Sequence, residues 1–217
     1  MIAITEKQIR KFAPKAMPEY LETFRKGEEV LTRYGINANG RRVAHFLSQV
    51  LHECGALKLR EESMNYDFDG LTTTFGTHRI THKRARELCR VQGRAADQEA
   101  IANTVYGGAW GKKNLGNIEP EDGWRYRGRG LIQITGRGMY RERGKLLGID
   151  LVAKPELAFD PSYALEIAAA YWKSRGCNQL ADKHDDARAV TKAVNGGYNG
   201  LADRERWLKK TKTEWWP

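Results

Sequence analysis

Helix punctuation constrains this chain more than any other feature. Residues that open and close helices alternate along almost its whole length, and strand signals are scarce. Pro18 opens a helix over 19–34, which Gly35 closes. Asn39 caps a second over 41–54, closed by Gly55. Shorter helices are predicted over 81–92, before Gly93, and over 97–106, before Gly107. Asp160-Pro161 starts the run SYALEIAAAYWKSR, which Gly176 ends, and helices over 185–194 and 203–212 complete the set. The best strand candidate is 130–135, short and bounded by glycines. The polar, Gly- and Asn-rich stretch 107–123 reads as a long loop, of a kind usually functional or mobile. These signals predict a mainly α fold with at most a short β element. The chain forms one domain over 1–217, with a small helical lobe at 77–122 inserted in it.

At 217 residues the chain buries enough surface to fold without staples. Cys54, Cys89 and Cys177 are odd in number and widely spaced, which fits buried thiols kept reduced rather than a disulfide framework. The N-terminal stretch has no apolar run of signal-peptide length, and nowhere do about 18 apolar residues follow one another. Synthesis in a cytoplasm and no membrane span are the expectations. The 37 Lys and Arg against 27 Asp and Glu leave a net charge of +10, which favours polyanionic partners: nucleic acid, an anionic cell wall or a membrane surface.

Three places carry residues suited to chemistry. Projected at about 100° per residue, the helix over 41–54 gathers Val43, Phe46, Leu47, Val50, Leu51 and Cys54 into one apolar arc. Glu53 falls at its edge beside Phe46, and His52 falls opposite. An apolar neighbourhood and the negative end of the helix dipole both raise a carboxyl's pKa, as a general acid requires. Glu61 and Glu62 follow in LREESMNY, and either could face Glu53 if the chain turns back at Gly55. The third place is GWRYRGRGLIQITGRGMY, where glycines permit close backbone approach and Trp124, Tyr126 and Tyr140 offer flat faces to sugars or bases. From 125 to 145 there are seven basic residues and one acid, Glu142, a cluster suited to drawing in an anionic polymer or a single-stranded nucleic acid.

The segments AHFLSQVLHECG, REESMNY, GWRYRGRGLIQITGRGMY and VNGGYNGLADR together resemble glycoside hydrolase family 19, in the expected order and over roughly 44–207. The likeness is closer to lysozyme-like phage and bacterial members than to plant chitinases. It implies a two-lobed, lysozyme-like helical fold with a substrate cleft, and hydrolysis of β-1,4-linked N-acetylated sugars by single displacement with inversion. It also implies that Glu53 is the acid and Glu62 the base, and that Thr135 stands where plant members hold the attacking water with a serine. Gln133 and Asn195 match sugar-binding residues, and Arg204 resembles the arginine that orders the carboxylates. Tyr126 and Tyr140 complete the expected substrate-binding set. The chain departs from the usual pattern at Cys54 and Ala56, and its base is placed differently than in plant chitinases.

The leading expectation is therefore a monomeric endolysin-type lysozyme that cuts the backbone of bacterial peptidoglycan between N-acetylmuramic acid and N-acetylglucosamine. It would be made without a signal peptide and reach the wall through a holin-type pore or a secretion machine. A chitinase shares the chemistry, and a non-enzymatic nucleic-acid-binding protein would use the same arginine- and tyrosine-rich segment. No cofactor or metal is expected. His52-Glu53 lacks the second histidine of a metalloprotease helix, since Ala56 stands there, and no third ligand accompanies His78 and His82.

Overall fold

Short polar side chains open many of these helices, and left-handed glycines close or separate several. The computed structural model describes residues 1–216. The chain divides into two compact units. The first comprises Met1–Arg60, Gly130–Gln133 and everything described from Leu157 onward; the second comprises Glu61–Arg129 and Ile134–Glu156. The first unit begins with α1 (Glu6–Phe12), α2 (Pro18–Arg25), α3 (Glu28–Arg33) and α4 (Gly40–Glu53). The second holds α5 (Phe68–Phe75), α6 (His82–Leu88), α7 (Gln98–Val105), α8 (Gly108–Leu115), α9 (Asp122–Arg125) and α10 (Arg137–Leu147). The chain then returns to the first with α11 (Ala164–Ser174), α12 (Cys177–Lys183), α13 (Arg188–Asn195) and α14 (Leu201–Trp215).

Asn39, Thr81 and Asp97 each accept an amide of the helix they open, so three predicted starts are real. The expected single helix over 19–34 is instead two, broken at Gly27. A Cβ there would lie 2.2 Å from the Leu165 side chain and 2.7 Å from the Thr23 carbonyl, so the glycine marks a close approach rather than a helix interior. The expected loop over 107–123 contains α8, which lacks a side-chain cap and so leaves no start signal in the sequence. The expected strand over 130–135 is a turn. Gln133 adopts φ 48 and its amide bonds the Gly130 carbonyl, and the described residues hold isolated β-bridges but no strand.

Within the first unit α4 is the central helix, buried on all sides from Val43 to Leu51. The helical projection foresaw an apolar arc with a polar back. That back is covered too: Ser48 donates to the His45 carbonyl and one His45 ring nitrogen meets the His184 carbonyl, while the other is buried without a partner. Phe46 packs edge-on against Trp172 at 5.4 Å. Burying each such side chain contributes roughly 1.5–3 kcal/mol. The helices α4 and α14 run antiparallel. Gly40, at the start of α4, sits so close to the Trp215 carbonyl that no Cβ fits, while residues at the end of α4 meet the start of α14. The second unit has its own core of Met64, Leu71, Phe75, Ile80, Ile101, Val105 and Tyr106, with Phe75 edge-on to Tyr106. The stretch 77–122 lies inside this wider unit. Cys54, Cys89 and Cys177 are buried free thiols. No described helix is long and apolar enough to cross a membrane.

Candidate active site

In the first unit, two consecutive residues of α4 grip two consecutive residues of α14. Arg204 donates to the Glu53 carboxylate at 2.5 Å and to Gln49 Oε1 at 2.7 Å, and the His52 ring meets Asp203 at 2.6 Å. Arg204 is 1% exposed and the Glu53 side chain 20%, so the guanidinium is fixed inside while the carboxylate reaches the surface. Burial raises the Asp203 carboxyl, but hydrogen bonds from His52 and Arg206 outweigh it and hold the group below its ordinary range. This meeting needs Gly200 at the cap of α14. Its φ is +70, and a Cβ there would lie 2.3 Å from the His52 ring. The apolar setting foreseen for Glu53 is corrected: its immediate partner is a guanidinium rather than Phe46.

Two further expected residues lie in the same unit. Asn195 ends α13 and is exposed; its amide donates to the Asn199 carbonyl at 3.3 Å. Arg204 Nε donates to the same carbonyl at 3.3 Å, so the NGGYN turn is tied to the residue that holds Glu53. Gln133 keeps its left-handed turn by donating from its side chain to the Gly130 carbonyl at 2.9 Å.

The second unit treats its carboxylates differently. Glu61 pairs with Arg127 at 2.6 Å and Arg129 at 3.1 Å. Glu62, on the other side of the chain, accepts the Tyr106 hydroxyl at 2.8 Å and the Gly128 amide at 3.3 Å. Burial raises the Glu62 carboxyl above its ordinary range, against the lowering by those two hydrogen bonds and by the charges of Arg127 and Arg79. The backbone fixes the alternation: the Glu62 amide bonds the Gly128 carbonyl while Glu61 bridges Arg129. Thr135 is half-buried in the same unit.

Two expectations fail here. Tyr126 and Tyr140 are 2% and 0% exposed, so neither ring offers a face to a sugar. They pack on each other at 5.3 Å; Tyr126 donates to the Val152 carbonyl, and Tyr140 donates to the Arg127 carbonyl while accepting from Arg129. The basic cluster over 125–145 is also mostly internal. Arg127, Arg129 and Arg143 are buried and Arg137 pairs with Asp122, leaving Arg125, Arg141 and Lys145 on the surface. Sequence reasoning missed Tyr106, Asp203 and Gln49. Only their neighbours gave a hint, since Asp203 precedes Arg204 and Gln49 lies one turn before Glu53.

No family model matches the chain. Over 167 residues it is 36% identical to a glycosyl hydrolase family 19 domain-containing protein of Haemophilus influenzae, covering 76% of each. The chain belongs to glycosyl hydrolase family 19. This family 19 chain is also 36% identical over 145 residues to Chitinase 11 of Oryza sativa, covering 57% of itself and 56% of that protein. Its fold is similar to that of chitinase C from Streptomyces griseus HUT6037, with a TM-score of 0.62 at 19% identity over 98% of this chain and 92% of that one. The class IV chitinase of Zea mays gives 0.56 at 16% identity, covering 97% and 92%. The expected helix-rich, lysozyme-like fold is thus present, and the family 19 chain is a chitinase-like glycoside hydrolase.

Proposed function

We propose that this family 19 hydrolase cleaves the β-1,4 bonds between N-acetylmuramic acid and N-acetylglucosamine in bacterial peptidoglycan, with Glu53 as general acid and Glu62 as general base of an inverting reaction. The observation that carries the assignment of the base is the sorting of Glu61 and Glu62. Glu61 is held by two guanidinium groups, whereas Glu62 takes its hydrogen bonds from a phenol and an amide and is raised by burial. A carboxylate outside a salt bridge, with a raised pKa, is the stronger proton acceptor. In the reaction Glu53 protonates the departing glycosidic oxygen. Glu62 takes a proton from water, whose oxygen attacks the anomeric carbon from the opposite face, so the products carry the inverted anomer. Arg204 orients Glu53, Thr135 holds the water, and Gln133 and Asn195 bind the sugar.

The net charge of +10 favours an anionic wall polymer over neutral chitin. Chitin is the second reading, favoured by the similarity to the rice chitinase. Digestion of purified peptidoglycan and of chitin oligosaccharides, with new reducing ends identified by mass spectrometry and the first-formed anomer read by NMR, separates them. Muramic acid reducing ends with the inverted anomer are expected. Products from chitin alone would replace the substrate, and a retained anomer would remove Glu62 from its role.

A further inference from the structure

Arg79 carries a charge that the second unit leaves unanswered. It lies in the turn 76–80 between α5 and α6, held between Phe75 and Ile80, which are 3% and 1% exposed. Its guanidinium carbon stands 3.7 Å from the Trp110 ring centroid and 5.6 Å from that of Phe75. Among the described residues Arg79 makes no ion pair, in contrast to Arg127, Arg129 and Arg137, each of which has a carboxylate. Its Nε is buried without a hydrogen-bond partner, while the two terminal nitrogens are neither buried nor bonded. Its charge opposes in part the raising of Glu62 and Tyr106 that burial causes.

Stacking on an indole fixes the plane of a guanidinium and leaves its N–H edge free for two-pronged binding of a carboxylate. The two terminal nitrogens of Arg79 are the ones an arriving carboxylate can reach, and a charge-assisted hydrogen bond there is among the stronger kinds. The polymer proposed above carries carboxylates, whereas chitin carries none. We propose that Arg79, stacked on Trp110, binds a carboxylate of the glycan substrate and so sets a preference for acidic over neutral amino-sugar polymers. This rests on the peptidoglycan reading above. The carboxylate has two sources: the lactyl group of a muramic acid freed of its peptide, or the peptide stem itself.

The test compares Arg79→Met, Arg79→Lys and the unmodified enzyme on three substrates: stem-bearing peptidoglycan, stem-free glycan strands and a chitin oligosaccharide. A charge-assisted hydrogen bond to substrate predicts that Arg79→Met lowers the ratio of kcat/KM on a carboxylate-bearing substrate to that on chitin by about tenfold or more. Lysine, which keeps the charge without the fork, should restore part of that ratio and guards against misfolding of the Met variant. Using a ratio cancels the effect of Arg79 on Glu62, which every substrate shares. Loss confined to stem-bearing material identifies the peptide as the source, and loss on the bare strands as well identifies the lactyl group. Equal losses on all three, or no loss on any, would overturn the role of Arg79 alone. An unmodified enzyme that cleaves neither carboxylate-bearing substrate would overturn the substrate reading and this inference together.

Discussion

The first unit holds its candidate carboxylate with a permanent charge, and the second holds its own with neutral donors. Glu53 is bound by Arg204, which is itself fixed by Gln49 and the Asn199 carbonyl. Glu62 sits on Tyr106 and the Gly128 amide and is raised by burial. A guanidinium fork specifies where a carboxylate points, because its N–H directions are rigid. Neutral donors in a desolvated setting specify instead how readily a carboxylate takes a proton. The contrast suits the proposed roles: an acid that must be aimed at one oxygen and a base that must accept a proton from water.

The largest break in that contrast is Glu53→Gln. Gln keeps the shape and accepts from Arg204, but it donates no proton to a leaving oxygen. Glycan cleavage should fall about 10²–10⁴-fold, with some loss of stability because the buried Arg204 loses its counter-charge, and activity within about threefold of the unmodified enzyme would remove Glu53 from the chemistry.

Glu62→Ala and Glu61→Ala test the second unit as a pair. The first should lower turnover by about 10²-fold or more and be partly rescued by azide, which attacks in place of activated water. The second should leave turnover within a few-fold but destabilise the protein by about 1–3 kcal/mol, because Arg127 and Arg129 lose their carboxylate. Reversal of this pattern, with Glu61→Ala the worse for turnover, would transfer the base to Glu61.

Arg204→Met probes the first unit's hold on Glu53. Removing one partner of a buried ion pair costs about 3–5 kcal/mol, and the partial exposure of Glu53 puts this case at the low end. Arg204→Lys keeps the charge but cannot span Gln49, Asn199 and Glu53 together, so urea melts should place it between the two. A Met variant as stable as the unmodified protein would show that the clasp orients without stabilising.

Much of this was legible in the sequence, and the failures have physical causes. Helix caps are local, so Asn39, Thr81 and Asp97 announced their helices, whereas α8 has no capping side chain and was invisible. The expected helix over 19–34 ran through Gly27 because the reason for the break there, Leu165, is distant in sequence. A motif match marked Glu53, Glu62 and Arg204 but could not say that Tyr126 and Tyr140 are core residues. An aromatic among glycines and arginines has the same sequence signature whether its ring faces solvent or is buried. Tyr106 and the stacked Arg79 escaped notice because their partners come from other elements of the second unit.

The smallest effect at neutral pH, and the one that sets the two units against each other, concerns acid. His45 is wholly buried in α4 with a ring nitrogen on the His184 carbonyl. Burial lowers its pKa to about 4; the His184 hydrogen bond opposes this, while Lys212 and Arg41 add to the lowering. The unfolded chain therefore binds a proton at this histidine near pH 6.5 that the folded chain refuses until about pH 4. The stability due to neutral His45 is fully present above about pH 6.5 and is lost as pH falls towards 4, a change of about 3 kcal/mol. Glu62 has the opposite sign. Its folded pKa is raised, so its contribution is fully present below the unfolded value near 4.5 and is lost as pH rises through the folded one. Acid should thus loosen the first unit before the second, visible as faster amide exchange in α4 and α14 than in α7 between pH 6.5 and 4. His45→Gln, which still donates to His184 and has no proton to gain, should flatten the first unit's dependence and leave α7 unaltered. An unchanged slope in that variant would assign the acid sensitivity to other groups.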